Sequence, residues 1–128
     1  MGTIYYMNDQ SNSERRRYTR IPFNRNVTLY SGMEALEAEI IDISLKGVLL
    51  KCPENHQPQS GGLYRLSIPI DSAPAIIMNI EVIHANEKVF GAEWTQIDMD
   101  SFASLKRTIE LNINEEDNLR KDIKTLAE

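Results

Sequence analysis

The sequence has few of the features that mark secreted or membrane-spanning proteins. Its 128 residues include a single cysteine, Cys52, which excludes an internal disulfide framework. It has no apolar run of membrane-spanning length and no charged-then-apolar signal peptide. The length and the 41% share of hydrophobic residues suit one domain with a modest core. We therefore expect a soluble, cytoplasmic protein that does not insert into a membrane.

Familiar catalytic and metal-binding patterns are also missing from the sequence. It contains no Gly-x-Ser-x-Gly, no P-loop and no His-Glu-x-x-His. Cys52, His56 and His84 lack a recurring ligand spacing, so neither a metal site nor a cofactor is predicted. Asp42 and Ser44 lie two apart on one strand, an arrangement that does not place a histidine between them for nucleophilic catalysis. The sequence therefore predicts a binding protein and not an enzyme.

Positive charge is scarce except near the start of the chain. Residues 1–30 carry five arginines against two acidic residues, whereas the remainder carries nine basic against seventeen acidic residues. Four of the arginines fall within positions 15–20. A long phosphate backbone needs many cationic contacts, so this acidic chain is not expected to bind nucleic acid. Guanidinium groups match a phosphate or a guanine edge, so the cluster suits a small anion; a solvated charged tail is the alternative.

A second polar pattern, Asp42-x-Ser44-x-x-Gly47, lies at the end of a strand-like run. On an extended chain Asp42 and Ser44 share one face. The alternation of polar residues slips by one near Ile40 and Ile41, which predicts a β-bulge there. With Ile41 and Ile43 directed into the core, Asp42 and Ser44 are expected on the outer surface. An edge strand with both faces partly covered is the alternative.

Hydrophobic periodicity predicts a mainly β domain followed by helices. Six strands are expected: one ending at Tyr30, one ending at Ser44, and the segments 47–52, 63–70, 75–86 and 89–97. So many short strands favour a closed antiparallel barrel. A helix should begin at Asp98 or Asp100, and a second should occupy 114–128, where its apolar seam caps the barrel, pairs with a second copy or contacts a partner. Residues 1–13 are expected to be disordered.

The two polar motifs together resemble a known family. Arg16-x-x-x-Arg20, followed on a new strand by Asp42-x-Ser44-x-x-Gly47, is similar to the PilZ domain family, whose members are bacterial receptors for cyclic di-GMP. The late segment 90–94 resembles the closing Gly-x-x-aromatic strand of that family. The resemblance covers residues 14–113 and implies a six-stranded antiparallel PilZ-type β-barrel with C-terminal α-helices.

The resemblance also implies a ligand and the residues that bind it. In the family, both motifs contact the nucleotide, with the arginine pair on the phosphate and the guanine Hoogsteen edge. Asp42 would accept from guanine N1–H and N2–H, a donor pair that adenine lacks. The candidate residues for cyclic di-GMP are Arg15, Arg16, Arg17, Arg20, Asp42, Ser44, Gly47 and His84.

Each of three aromatic side chains near the motifs has a structural interpretation and a ligand-stacking interpretation. His84, in phase with Met78 to Val82, is either a rim histidine packed into the barrel mouth or a platform for guanine. Trp94 is expected in the core rather than at the ligand, because its phase matches that of Phe90. Tyr18 has either a packing or a stacking role.

We therefore predict a receptor that binds cyclic di-GMP without turning it over and relays the signal as its N-terminal arginine segment becomes ordered. A protein-interaction adaptor of the same fold, with little or no nucleotide binding, is the alternative. Expected partners are cyclic di-GMP and a downstream protein that the sequence does not identify. The chain itself is expected to be a monomer or a weak homodimer.

Overall fold

The structure is a computed structural model that describes residues 4–6 and 18–112. The elements are β1 (Ile4–Tyr6), β2 (Ile21–Ser31), β3 (Glu34–Ile43), β4 (Gly47–Lys51), β5 (Leu63–Ile70), β6 (Ala73–Ala85), β7 (Val89–Asp98) and α1 (Met99–Asn112). No helix in these ranges is long and apolar enough to cross a membrane. The helix predicted over 114–128 lies outside the described residues.

Strands β2 to β7 form a closed antiparallel barrel. Each of them pairs with two others in the order β7-β4-β3-β2-β5-β6, and β6 pairs with β7 to complete the ring. Closure satisfies the backbone donors and acceptors that an open sheet would leave at its edges. The prediction of a mainly β, six-stranded barrel is thereby confirmed.

β1 is an additional strand of the same sheet and pairs with the end of β7. β4 pairs with β7 as far as Glu93, and β1 occupies the same side of β7 further along, with Ile4 opposite Asp98 and Tyr6 opposite Gln96. β7 extends past the end of β4, so its backbone groups are available to another strand. The expected disorder over 1–13 therefore does not hold for residues 4–6.

The core is formed by the inward-facing residues of the barrel and one stripe of α1. Leu29, Ile40, Leu66 and Phe90 are fully buried, and Leu105 of the helix joins the same cluster. The Asp98 carboxylate accepts a hydrogen bond from the backbone N–H of Ser101 at 2.7 Å, as an N-cap residue does. One of the two predicted helix starts is therefore confirmed, and α1 packs on β6 and β7.

The predicted β-bulge is present in β3. Ile40 pairs with Leu50 and Asp42 with Leu49, which leaves Ile41 as the extra residue. Ile40 and Ile43 are fully buried, whereas Ile41 is partly exposed. The expectation that Ile41 points into the core is therefore wrong, because the bulge itself interrupts the alternation. The bulge nevertheless leaves the Asp42 side chain on the outer surface of the barrel, as predicted.

Candidate functional site

The two polar motifs meet at an ion pair between Arg20 and Asp42. Arg20 Nη1 lies 3.0 Å from Asp42 Oδ1, and the two side chains are 54% and 22% exposed. The contact follows from strand pairing, because Pro22 near the start of β2 is opposite Asp42 near the end of β3. Residues 22 positions apart in sequence thus present a donor fork and a carboxylate at one place on the surface. Arg15, Arg16 and Arg17 lie outside the described residues.

A row of directly paired residues runs from Asp42 across the neighbouring strands. Asp42 is paired with Leu49 on β4, Leu49 with Gly91 on β7, and Gly91 with His84 on β6. Directly paired residues of antiparallel strands share a face, so these four lie side by side on the outside of the barrel. At about 4.8 Å per strand, the row extends roughly 14 Å. It brings His84 onto the same face as the Arg20–Asp42 pair.

His84 is exposed, and its ring lies across Gly91. The β6–β7 register shifts between Val82 and His84, so His84 is no longer in phase with the buried residues Met78, Ile80 and Val82. The interpretation of His84 as a rim histidine in phase with the core is therefore wrong. A Cβ on Gly91 would lie 2.5 Å from the Nε2 atom of His84, so only glycine leaves space for the ring in this position.

Ser44 is buried, contrary to the expectation that it shares the outer surface with Asp42. It is 3% exposed because β3 ends at Ile43 and the chain turns inward. Its Oγ accepts hydrogen bonds from the backbone N–H groups of Lys46 and Gly47, both at 3.2 Å. Ser44 thus fixes the turn that follows Asp42, and its assignment as a ligand-binding residue stays a prediction.

Gly47 permits a close approach between strands. A Cβ at this position would collide with the backbone carbonyl oxygen of Ala92 on β7. The family resemblance implies that Gly47 is one of the residues that bind the ligand. Among the described residues, the group that comes closest to Gly47 is the Ala92 carbonyl of the neighbouring strand. A ligand contact at Gly47 stays a prediction.

Trp94 supports the turn from the inside of the barrel. It is 8% exposed, its Nε1–H donates to the carbonyl oxygen of Leu45 at 2.9 Å, and its ring packs edge-on against Phe102. The expectation of a core role is therefore confirmed. Tyr18 is also 8% exposed, and the centroid of its ring lies 5.8 Å from the Nζ atom of Lys46. The Tyr18 ring therefore packs beneath the side chain of Lys46, in the turn between β3 and β4.

Gly91 and Leu49 are site residues that sequence reasoning missed. A glycine inside a strand indicates a close approach or a bulge, which was the available signal for Gly91. Leu49 gave none, because its place in the row depends on strand pairing. No cluster of three or more His, Cys, Asp or Glu side chains within residues 18–112 is arranged to hold a metal ion.

The loop between β4 and β5 is held by side-chain hydrogen bonds to β5 and to the β6–β7 turn. Tyr64 Oη lies 2.7 Å from His56 Nε2, and the Gln57 amide donates to the Asn86 carbonyl oxygen at 2.8 Å. Burial raises the pKa of Tyr64, and the neighbouring Cys52 raises it further. Burial also raises the pKa of Cys52, against a lowering effect of its hydrogen bond from Gln57. The neutral forms of both residues are therefore favoured in the fold.

Comparisons with known proteins agree with this architecture. The chain is similar in structure to the Bacillus subtilis inhibitor of motility MotI/DgrA, with a TM-score of 0.60 at 21% identity, over 75% of this chain and 52% of that one. It is also similar to the PilZ domain of CeSA from a cellulose-synthesizing bacterium, with a TM-score of 0.58 at 18% identity, over 70% of this chain and 93% of that one. The chain thus spans about half the length of the first of these proteins. The family model of the PilZ domain matches residues 14–111, and the chain belongs to that family of cyclic di-GMP receptor domains.

Proposed function

We propose that this protein binds cyclic di-GMP on the face that carries the Arg20–Asp42 pair. The observation that supports this most directly is the 3.0 Å contact itself, which joins the Arg-x-x-x-Arg motif to the Asp-x-Ser-x-x-Gly motif on an exposed surface. An ion pair this exposed contributes about 0–1 kcal/mol to stability. A ligand that offers each partner a stronger contact can therefore separate the two side chains at little cost.

Guanine offers a suitable contact to each of the two side chains. Its O6 and N7 atoms are adjacent acceptors that match the planar fork of an arginine such as Arg20. Its N1–H and N2–H groups are adjacent donors that match the Asp42 carboxylate. Adenine lacks this donor pair, so Asp42 favours guanine. In this proposal the His84 ring, at the far end of the row from Asp42, stacks on a base.

Two carboxylates lie close to the row. Glu81 and Glu93 are directly paired across β6 and β7, and Glu93 is two residues beyond Gly91 on β7. These carboxylates repel each other and repel the phosphates of an anionic ligand. Arg15, Arg16 and Arg17, together with Arg20, supply the compensating charge in this proposal. In this proposal the arginine segment becomes ordered on the bound ligand. This ordering relays the signal to a downstream protein in the cytoplasm.

Isothermal titration of the full chain with cyclic di-GMP tests this proposal, with cyclic di-AMP as the control ligand. Saturable heat with the guanine ligand alone is the expected result, and a stoichiometry near one or two then distinguishes a single ligand from a stacked pair. Equal binding of both ligands would remove the assigned role of Asp42. Absence of heat with either ligand would overturn the proposal and leave the adaptor function.

A further inference from the structure

A second outer surface of the barrel, remote from the Arg20–Asp42 pair, also combines charge with exposed apolar groups. Two adjoining hollows of about 590 Å³ and about 360 Å³ lie over β2, β5, β6 and β7 and share Arg65, Ile77 and Asn79. We call this the Arg65 surface; its other residues used below are Tyr30 and Gln96. Asn79 is five positions from His84 on β6, a distance of roughly 16 Å along the strand.

The polar side chains of the Arg65 surface form a directed row across three strands. Arg65 is paired with Asn79, and Asn79 with Gln96. Arg65 Nε–H donates to Asn79 Oδ1 at 3.4 Å, and Asn79 Nδ2–H donates to Gln96 Oε1 at 2.9 Å. Arginine can only donate, so it fixes the orientation of the first amide, which in turn fixes the second.

This direction determines what the surface can bind. Both amide oxygens accept hydrogen bonds within the row, whereas the terminal guanidinium nitrogens of Arg65 and the Gln96 amide nitrogen remain as donors. Arg65 is exposed and lies beyond salt-bridge distance of any carboxylate in residues 18–112. Asp98 lines the smaller hollow and accepts a hydrogen bond from the Ser101 N–H, whereas Arg65 is the only charged side chain among the described residues that line the larger hollow. The larger hollow is therefore rich in donors and positively charged. An anionic acceptor is its chemical complement.

Apolar groups flank the donors on two sides. Tyr30, paired with Arg65 across β2 and β5, is 44% exposed, and Ile77, next to Asn79 on the same face, is 42% exposed. Tyrosine and arginine together are typical of the central residues of protein interfaces. One arginine does not suit a polyanion, which needs many cationic contacts. A single carboxylate between apolar side chains matches this arrangement instead.

We propose that the Arg65 surface is a docking site for an acidic segment of a partner protein. A carboxylate of that segment binds the Arg65 guanidinium, and its flanking apolar side chains pack on Tyr30 and Ile77. Charge complementarity and the direction of the hydrogen bonds support this assignment, which does not depend on whether the other face binds cyclic di-GMP.

Selection of short random peptides displayed on phage against the immobilised full chain tests this proposal. Enrichment of Asp or Glu next to apolar residues is expected. An enriched peptide is then labelled with fluorescein and titrated by anisotropy against the wild type, Arg65→Glu and Arg107→Glu. Arg107 is the matched control, because it is an exposed arginine on α1 outside the surface. Arg65→Glu should weaken binding at least about tenfold, since a charge-assisted hydrogen bond is lost and a like charge introduced, whereas Arg107→Glu should leave it unchanged.

Three outcomes would overturn the assignment. The selected peptides could carry no excess of acidic residues, or they could bind Arg65→Glu as well as the wild type. Sedimentation could instead show self-association that Arg65→Glu abolishes, in which case a second copy of this chain occupies the surface. Urea unfolding followed by the fluorescence of Trp94, the single tryptophan, establishes that each variant is folded.

Discussion

The imidazole of His84 lies directly over the backbone of Gly91 on the neighbouring strand. A Cβ at Gly91 would be 2.5 Å from His84 Nε2 and 2.7 Å from Cε1. The obstructing atoms belong to the end of an exposed, rotatable side chain, so a methyl group could be accommodated if the ring moved. Gly91 thus determines the position of a ring at the end of the row that begins at Asp42.

A Gly91→Ala substitution should therefore act through His84. Stacking of a base on an aromatic ring is worth about 1–3 kcal/mol, so under the proposed function His84→Ala should weaken cyclic di-GMP binding by roughly five- to 150-fold. Gly91→Ala should weaken it in the wild type but have no further effect in the His84→Ala background. Isothermal titration of the two single variants and the double variant measures this coupling. An equal loss in both backgrounds would show that Gly91→Ala acts independently of His84, and unchanged binding by His84→Ala would show that His84 is not the stacking platform.

Gly47→Ala should instead destabilise the fold. The added methyl group meets the backbone carbonyl of Ala92, which cannot rotate away as a side chain can. Overpacking of this kind costs about 1–3 kcal/mol. A tolerated Gly→Ala change gains about 0.4–1 kcal/mol through the unfolded state, so a net loss in urea unfolding reports the clash. Gly91→Ala is the matched control, and an equal loss in both variants would contradict the distinction between backbone and side-chain obstruction.

Much of the barrel could be predicted from the sequence because its strands alternate regularly. The segments 63–70 and 89–97 match β5 and nearly match β7, and the slip at Ile41 correctly indicated the bulge. β1 could not be predicted, because its pairing depends on how far β7 extends beyond β4. Three apolar or mixed residues carry little periodicity of their own.

The site was less predictable because local irregularities decide its geometry. Alternation placed Ser44 beside Asp42, but β3 ends one residue earlier and the serine turns inward to bond Lys46 and Gly47. Alternation also placed His84 in phase with the core, but the register shift after Val82 puts it on the surface. A period of two is informative only where the strand is regular. Both errors occur within two residues of a strand end or register shift.

Arg20→Ala tests the arginine motif on a residue that the structure describes. The variant should lose about 1.5–3 kcal/mol of cyclic di-GMP binding for each charge-assisted hydrogen bond removed, or one to two decades in Kd. Its unfolding free energy should fall by no more than about 1 kcal/mol, because the ion pair with Asp42 is largely exposed. Arg107→Ala, on α1, should change neither quantity. An unchanged Kd in isothermal titration of Arg20→Ala would remove Arg20 from the site.

Stability should fall at alkaline pH through Tyr64. Burial raises the pKa of this phenol above its ordinary value of 10.0, so in the pH range above 10 the folded state holds a proton that the unfolded state has released. The contribution is therefore complete below pH 10 and decreases as pH rises through the folded pKa. Tyr64→Phe cannot ionise, so its unfolding free energy should depend less steeply on pH there than that of the wild type.

Urea unfolding on both sides of pH 10, followed by Trp94 fluorescence, measures this difference. Tyr64→Phe also loses the contact with His56, which should lower its stability at all pH values below 10 by about 0.5–1.5 kcal/mol. The two curves should consequently converge as pH rises. Tyr30→Phe is the control, because it removes a phenol that is 44% exposed and is not part of the Tyr64–His56 contact. Parallel curves for wild type and Tyr64→Phe above pH 10 would show that the Tyr64 phenol ionises equally easily in the folded and unfolded chains.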